Sequence, residues 1–136
     1  MTPTSSRALL FDKLMAEVTA ANERFDHRAH LHLTWLAVRT AGMPAAIGLV
    51  SDGIQRTARY AGMPQKYHAT VSRAWVELVA HHVADRPIDD FAVFIDRHPA
   101  LLDKRLLTRF YSSATLASTQ ARTGWVEPDV AQFPAT

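Results

Sequence analysis

The four-residue run Ala-Gly-Met-Pro occurs twice in this chain, at 41–44 and again at 61–64. Glycine suits the left-handed position just past the end of a helix, and proline fits the first turn of the next helix. Each run therefore predicts that one helix ends and another begins almost at once. Connections this short make consecutive helices antiparallel neighbours, as in an up-down bundle. We interpret the repeat as helix punctuation and not as a sign of a duplicated domain.

Apolar residues at helical spacing predict four longer helices around these two boundaries. We expect them to run from a cap at Ser5 or Ser6 to Ala21, from a cap at Asp26 to Ala41, from Pro44 to Tyr60 and from Pro64 to Ala84. No alternating apolar run is long enough to predict a pair of strands. The expected fold class is therefore all-α, with a compact bundle of four longer helices.

Smaller elements are expected beyond the fourth helix. Asp89 and Ser118 could each cap a short helix, and Pro99 could begin another, which makes two or three short C-terminal helices. Residues 112–136 are expected to pack over the bundle as a C-terminal segment that ends in an extended tail.

Length and composition are typical of one globular domain, and we assign all of 1–136 to it. The chain has 136 residues, of which 48% are hydrophobic and 21% charged. Residues 1–5 are expected to form a flexible tail. The absence of cysteine excludes a disulfide framework, a thiolate metal site and a cysteine nucleophile.

Charge and hydropathy argue against two classes of partner. The net charge is only +2 and the arginines are scattered singly, whereas a nucleic-acid interface needs a clustered basic stripe. The apolar runs are short and interrupted, so no membrane span is expected. The N-terminal stretch carries a charge where a signal peptide would be apolar. We therefore expect a cytoplasmic protein that binds neither nucleic acid nor membranes, and a homodimer is compatible with a bundle of this size.

Three histidines form the first candidate site. His27 and His30 lie one turn apart in the second helix, and His68 lies near the start of the fourth. In an up-down bundle these two helices run parallel, which brings their N-terminal ends level. Imidazoles are ligands for zinc, iron and copper, and three protein ligands leave an open position for a substrate. Glu17 or Glu23 could add a carboxylate.

The alternative is that these histidines are structural and that no metal binds. His27 would then be an exposed residue near a helix start, while His30 and His68 would be hydrogen-bonded within the core. Isolated histidine pairs are common, and metal ligands need supporting hydrogen bonds that a sequence does not reveal. This consideration favours the absence of a metal.

The run Lys66-Tyr67-His68 forms the second candidate site, to which we assign catalytic roles. A helix N-terminus favours an anion through its free N–H groups and its dipole. The lysine, phenol and imidazole could hold a carboxylate or phosphate there, or exchange protons with it, and Thr70 could contact the same ligand. The alternative is a solvated lysine, a half-buried tyrosine and a packed histidine.

Two tryptophans are candidates for the wall of a ligand pocket. Trp35 and Trp75 fall on the apolar faces of the second and fourth helices. Flat ligands are often held against aromatic side chains in apolar pockets. Membership of the core is the more common role for such residues.

Several motifs resemble those of a group of small uncharacterised bacterial all-helical proteins, over about residues 25 to 130. The motifs are F-x-H-x-x-H-L from Phe25, K-Y-H-x-T from Lys66 and A-R-x-x-W-V-x-P-D from Ala121. No activity attaches to that group, so the resemblance implies only which positions to test: His27, His30, Lys66, Tyr67, His68 and Arg122. Arg122 could deliver a guanidinium to an anionic ligand if the C-terminal segment folds back, or it could form a surface salt bridge.

Two functions follow from these candidates. The first is a small cytoplasmic enzyme, using either a metal or acid-base groups, that acts on a small anionic organic molecule. The second is a non-catalytic helical module that binds a small molecule or a partner protein. The sequence alone does not decide whether the protein is an enzyme. We favour the first function because three histidines beside Lys66 and Tyr67 are more polar chemistry than a core requires.

Overall fold

The fold is all-α, as the sequence predicts. A computed structural model describes residues 3–134, with the side chains of residues 3–5 outside that description, and it contains no strand within that range. The α-helices are α1 (Pro3–Ala21), α2 (His27–Ala41), α3 (Met43–Tyr60), α4 (Ala69–Asp85), α5 (Phe91–Arg97), α6 (Ser113–Ala117) and α7 (Thr119–Thr123). Short 3₁₀ helices occupy Pro64–Lys66, Pro99–Leu102 and Lys104–Arg109.

The N-terminal helix begins earlier than expected. Because α1 starts at Pro3, only part of the predicted tail 1–5 can remain outside a helix. Met1 and Thr2, which belong to that predicted tail, lie outside the described residues.

Helix boundaries in the first half follow the local chemistry. The Asp26 carboxylate caps α2 by accepting a hydrogen bond from the Ala29 N–H at 3.0 Å. Gly42 has φ +81° and separates α2 from α3, and Gly62 has φ +70° just beyond α3. Positive φ is accessible to glycine at little cost, which explains why both predicted helix ends occur where they do.

The start of α4 differs from the prediction. Pro64 begins a 3₁₀ turn that ends at Lys66, and α4 begins only at Ala69. His68 takes an extended backbone and its Nδ1 accepts the Val71 N–H at 3.1 Å, so an imidazole caps the helix. Lys66 and Tyr67 therefore lie in the connection between α3 and α4 and not within a helix.

Two further boundaries are corrected downstream. Asp90 and not Asp89 caps α5, which begins at Phe91, and the Asp89 carboxylate pairs with Arg39 at 2.9 Å. The region that follows Pro99 forms two 3₁₀ helices in place of one α-helix. Ser118 caps α7 as predicted, with its hydroxyl accepting the Ala121 N–H.

The core lies where α2 packs against α1, α3 and α4. Burial of apolar area in such an interface is the main stabilising term of a helical domain. Its fully buried members from these helices include Val18, Leu31, Leu33, Val50, Val76 and Val79. Trp35 and Trp75 are each 3% exposed, so both tryptophans are core residues.

The C-terminal segment is joined to α4 by buried hydrogen bonds. The Thr70 hydroxyl donates to the Gly124 carbonyl at 2.7 Å and accepts from the Val126 N–H at 3.1 Å. The Tyr111 hydroxyl donates to the Val126 carbonyl at 2.7 Å. Within the segment, α6 and α7 precede the extended part. None of the helices described here is long and apolar enough to cross a membrane.

Candidate functional site

A cleft of about 290 Å³ opens between the N-terminal ends of α2 and α4. The connection that precedes α4, the start of the last 3₁₀ helix and Ile54 of α3 complete its walls. It is lined by Phe25, Asp26, His27, His30, Ile54, Lys66, Tyr67, His68, Val71, Ser72 and Lys104. The two candidate sites of the sequence, the histidines and the Lys66-Tyr67-His68 run, thus border one cleft.

Two lysines give the cleft its positive charge. The chain has three lysines, Lys13, Lys66 and Lys104. Lys66 and Lys104 line the cleft and are exposed, and within residues 3–134 neither side chain forms an ion pair or a hydrogen bond. Their ammonium groups remain available to a ligand, as point charges with three donors each.

His30 is a neutral imidazole on the wall of the cleft. Burial and the neighbouring His27 lower the pKa of His30 to about 4. The ring stands edge-on to Phe25, with 6.2 Å between the ring centroids. Neither ring nitrogen bonds to any residue that the structure describes. At neutral pH His30 therefore presents one donor and one acceptor that the fold does not use.

Tyr67 adds a phenol to the same cleft. The residue is half-buried in the connection before α4 and lines the cleft. Its hydroxyl makes no hydrogen bond with the described part of the chain. A phenol in such a position can donate to an anion or transfer a proton.

His27 is tied to the fold through one ring nitrogen. Its Nε2 lies 2.8 Å from the Leu101 carbonyl oxygen, and because a carbonyl only accepts, Nε2 carries the proton. The ring packs against Trp75, with 4.7 Å between centroids. Burial lowers the pKa of His27, with Lys104 adding to that effect. The other ring nitrogen of His27, Nδ1, forms no hydrogen bond with any described residue.

His68 has no free ring nitrogen. Its Nε2–H donates to the Leu116 carbonyl at 2.7 Å, while its Nδ1 accepts the Val71 N–H. Coordination of a metal or transfer of a proton by His68 would break one of these bonds. The predicted catalytic and metal-binding roles of His68 therefore conflict with its use in capping α4 and holding α6.

The predicted metal set does not form a ligand group in the described residues. Within residues 3–134 there is no set of three or more His, Cys, Asp or Glu side chains placed to hold a metal ion. Glu17 and Glu23, the proposed extra carboxylates, are absent from the lining of the cleft. Metal binding by His27, His30 and His68 stays a prediction, with His68 the least available of the three.

The remaining predicted ligand-binding residues lie outside the cleft. Trp35 is buried against Phe91, at 5.6 Å between centroids, and Trp75 lies in the core next to His27. Thr70 is fully buried and bonded to the C-terminal segment. Arg122 is exposed and donates to the Gln65 carbonyl, so it supports the connection that carries Lys66.

Lys104 is the functional candidate that sequence reasoning missed. It follows Leu101, whose carbonyl binds His27, and this long-range bond brings the last 3₁₀ helix to the start of α2. The local sequence around Lys104 contains no motif that marks it.

A second depression has two of its three arginines already paired. It measures about 180 Å³ and lies between α1 and α3. Arg7 pairs there with Asp52, and Arg56, which also lines it, pairs with Asp12 at 3.0 Å. Arg59 is the one cation of this depression without an ion pair among the described residues. Because the other cleft has two unpaired lysines beside its histidines, it is the stronger site for a charged ligand.

Comparison with known proteins identifies no relative of this chain. No protein-family model, no curated protein and no solved structure matches the chain. The resemblance of its motifs to a group of small bacterial helical proteins stays a prediction. Function must therefore be inferred from the cleft itself.

Proposed function

We propose that this protein binds a small anionic organic molecule in the cleft and transforms it by proton transfer. The observation that carries the proposal is the position of Lys66 and Lys104. Two of the chain's three lysines line one cleft without an ionic partner in the described chain. They come from separate segments, the connection before α4 and the last 3₁₀ helix, and line the same cleft.

The proton-transfer part of the proposal rests on His30 and Tyr67. The neutral His30 imidazole can accept a proton, and the Tyr67 phenol can donate one. An anion bound beside His30 would favour its imidazolium form and so raise the low pKa of His30 towards the working range of a base. In this account Lys66 binds charge, Tyr67 moves a proton, and His68 positions the connection that carries both.

A non-catalytic binding module is the second candidate function. It is favoured by the bonds of His27 and His68 to backbone carbonyls, which are structural uses of those rings. In this case the same ligand would bind without being changed. A His30→Ala variant separates the two functions. If the protein is an enzyme, the variant should lose turnover and keep its affinity for the ligand. If the protein is a binding module, neither the wild type nor the variant should convert the ligand.

Three expectations from the sequence remain part of the proposal and have separate tests. Elemental analysis of tag-free protein would detect zinc, iron or copper held by His27, His30 and His68. Sedimentation would detect a homodimer. Cell fractionation would test a cytoplasmic location. Neither anion binding nor proton transfer as described above requires a metal.

The binding experiment uses calorimetric titration with acetate, benzoate and inorganic phosphate as probes. The wild type is compared with the double variant Lys66→Gln/Lys104→Gln, and Lys13→Gln is the matched control because Lys13 is outside the cleft. We expect at least one probe to bind, with a loss of about tenfold or more in the double variant and no change in the control. Equal binding by all three proteins, or no binding of any probe, would refute the proposal.

A further inference from the structure

The charged groups of the cleft leave a small net positive charge. Lys66 and Lys104 contribute two positive charges, and Asp26 is the acidic residue among the lining residues. The Asp26 carboxylate faces the first turn of α2, where it caps the helix. The sum over these three groups is +1, which a single negative charge on the ligand neutralises.

In the free protein, the imidazoles of His27 and His30 do not add to that charge at neutral pH. Burial lowers the pKa values of His27 and His30. His68 accepts a backbone N–H at Nδ1, which requires that nitrogen to be unprotonated. A ligand with two negative charges would therefore leave an excess of negative charge in a partly desolvated cleft, which is costly.

Apolar side chains provide the rest of the lining. Ile54 and Val71 are half-buried, and Phe25 remains 48% exposed although it borders the cleft. An aromatic ring that exposed offers apolar area which a ligand can cover. The volume of about 290 Å³ exceeds what a water molecule or a bare carboxylate needs.

We infer that the ligand is a monoanion with an apolar body, such as a carboxylate on an aromatic or branched aliphatic group. The inference rests on the proposed function and narrows its ligand class. The carboxylate would lie between Lys66 and Lys104, and the body would cover Phe25, Ile54 and Val71. Inorganic phosphate and polar dianions fit this lining less well.

Matched ligands test the inference by changing one property at a time. Benzoate is compared with benzamide, which removes the charge, with acetate, which removes the ring, and with phthalate, which adds a second charge. We expect benzoate to bind the wild-type protein about tenfold more tightly than each of the other three, because each loses either charge pairing or buried apolar area. Titration of backbone NMR signals gives the dissociation constants.

Two aromatic variants serve as a further check. Phe25→Ala should weaken benzoate binding severalfold and leave acetate binding unchanged. Tyr60→Ala removes an aromatic side chain that is 88% exposed and lies outside the cleft, so it should change neither. Both substitutions are at exposed positions, and thermal unfolding verifies that the variants remain folded.

The outcomes separate the two levels of the proposal. If acetate, phosphate or phthalate binds through the two lysines at least as tightly as benzoate, the apolar monoanion is refuted and the proposed anion site stands. If benzamide binds as well as benzoate, the charge has no role and both proposals fail. If Phe25→Ala leaves benzoate binding intact, the apolar contact is refuted.

Discussion

His68 joins the start of α4 to α6 through one ring. Its Nδ1 caps α4 and its Nε2–H holds the Leu116 carbonyl of α6. At the residue scale this is more informative than the motif around it, because it shows that both ring nitrogens of His68 already bond to the backbone. The sequence predicted that His68 lies near His27 and His30, and all three line the cleft. It could not show that both ring nitrogens of His68 form hydrogen bonds to the backbone.

The substitution His68→Ala removes both bonds of this ring. We expect the free energy of unfolding to fall by about 1–3 kcal/mol, since a helix cap and a hydrogen bond to a half-buried carbonyl are lost together. His68→Asn keeps a side chain that can accept the Val71 N–H, so its loss should be smaller. Urea unfolding measures both values. An unchanged His68→Ala variant would contradict the structural role.

At the scale of elements, the C-terminal segment is attached to α4 through the buried Thr70. Thr70 is fully buried in the first turn of α4 and its hydroxyl serves both the Gly124 carbonyl and the Val126 N–H. Trp125 packs against the same region, with the Arg73 guanidinium 4.2 Å from its ring centroid. These specific contacts add to apolar ones, since Ala121 is fully buried and Trp125 and Phe133 pack against the core.

Replacing Thr70 by valine preserves shape and removes the hydroxyl. We expect a loss of about 1–3 kcal/mol in unfolding free energy, because a backbone carbonyl and an N–H are left unpaired. Hydrogen exchange should increase at residues 124–126 while α2 stays protected. The control is Thr57→Val, whose hydroxyl bonds only to the Gly53 carbonyl within its own helix. A similar effect of both variants would mean that Thr70 is not a specific attachment point.

At the scale of elements, the sequence predicts that a helix exists better than it predicts the residue at which the helix begins. The caps at Asp26 and Ser118 are local, since each side chain bonds three residues ahead, and both were predictable. The start of α4 was misplaced because Pro64 suits any helical turn, including a 3₁₀ turn. Its true start depends on His68, an uncommon capping residue that is held from the far side by Leu116.

For the whole molecule, neutral histidines make stability depend on pH. Burial lowers the pKa values of His27, His30, His32, His82 and His98 below 6.5. The unfolded chain therefore binds more protons than the folded chain once the pH falls below about 6.5. Stability is fully present above that pH and is lost progressively as the pH falls towards the folded-state values.

His30 should contribute the largest share of this loss, because its pKa is lowered to about 4. Between pH 7 and pH 5 its share is on the order of 2 kcal/mol. Urea unfolding at both pH values measures the loss in the wild type and in His30→Phe. We expect a smaller loss in the variant, and an equal loss in both proteins would show that His30 is not held neutral by the fold.

The composition of the cleft is a property of the whole chain. Helix spacing and short connections sufficed to predict that His27, His30 and His68 would lie near one another. Lys104 joins them because the region after Pro99 folds back to bond His27 through the Leu101 carbonyl, 74 residues away in sequence. A bond over that separation has no local pattern, so the second lysine of the site could not be predicted from the sequence.

The most direct test of the central claim uses the three lysines themselves. With ¹³Cε-labelled lysine the protein has three side-chain signals, assigned by single Lys→Gln variants, and benzoate is titrated in. We predict that the signals of Lys66 and Lys104 shift together with one dissociation constant while that of Lys13 stays in place. Equal shifts of all three signals, or none at any benzoate concentration, would contradict an anion site in the cleft.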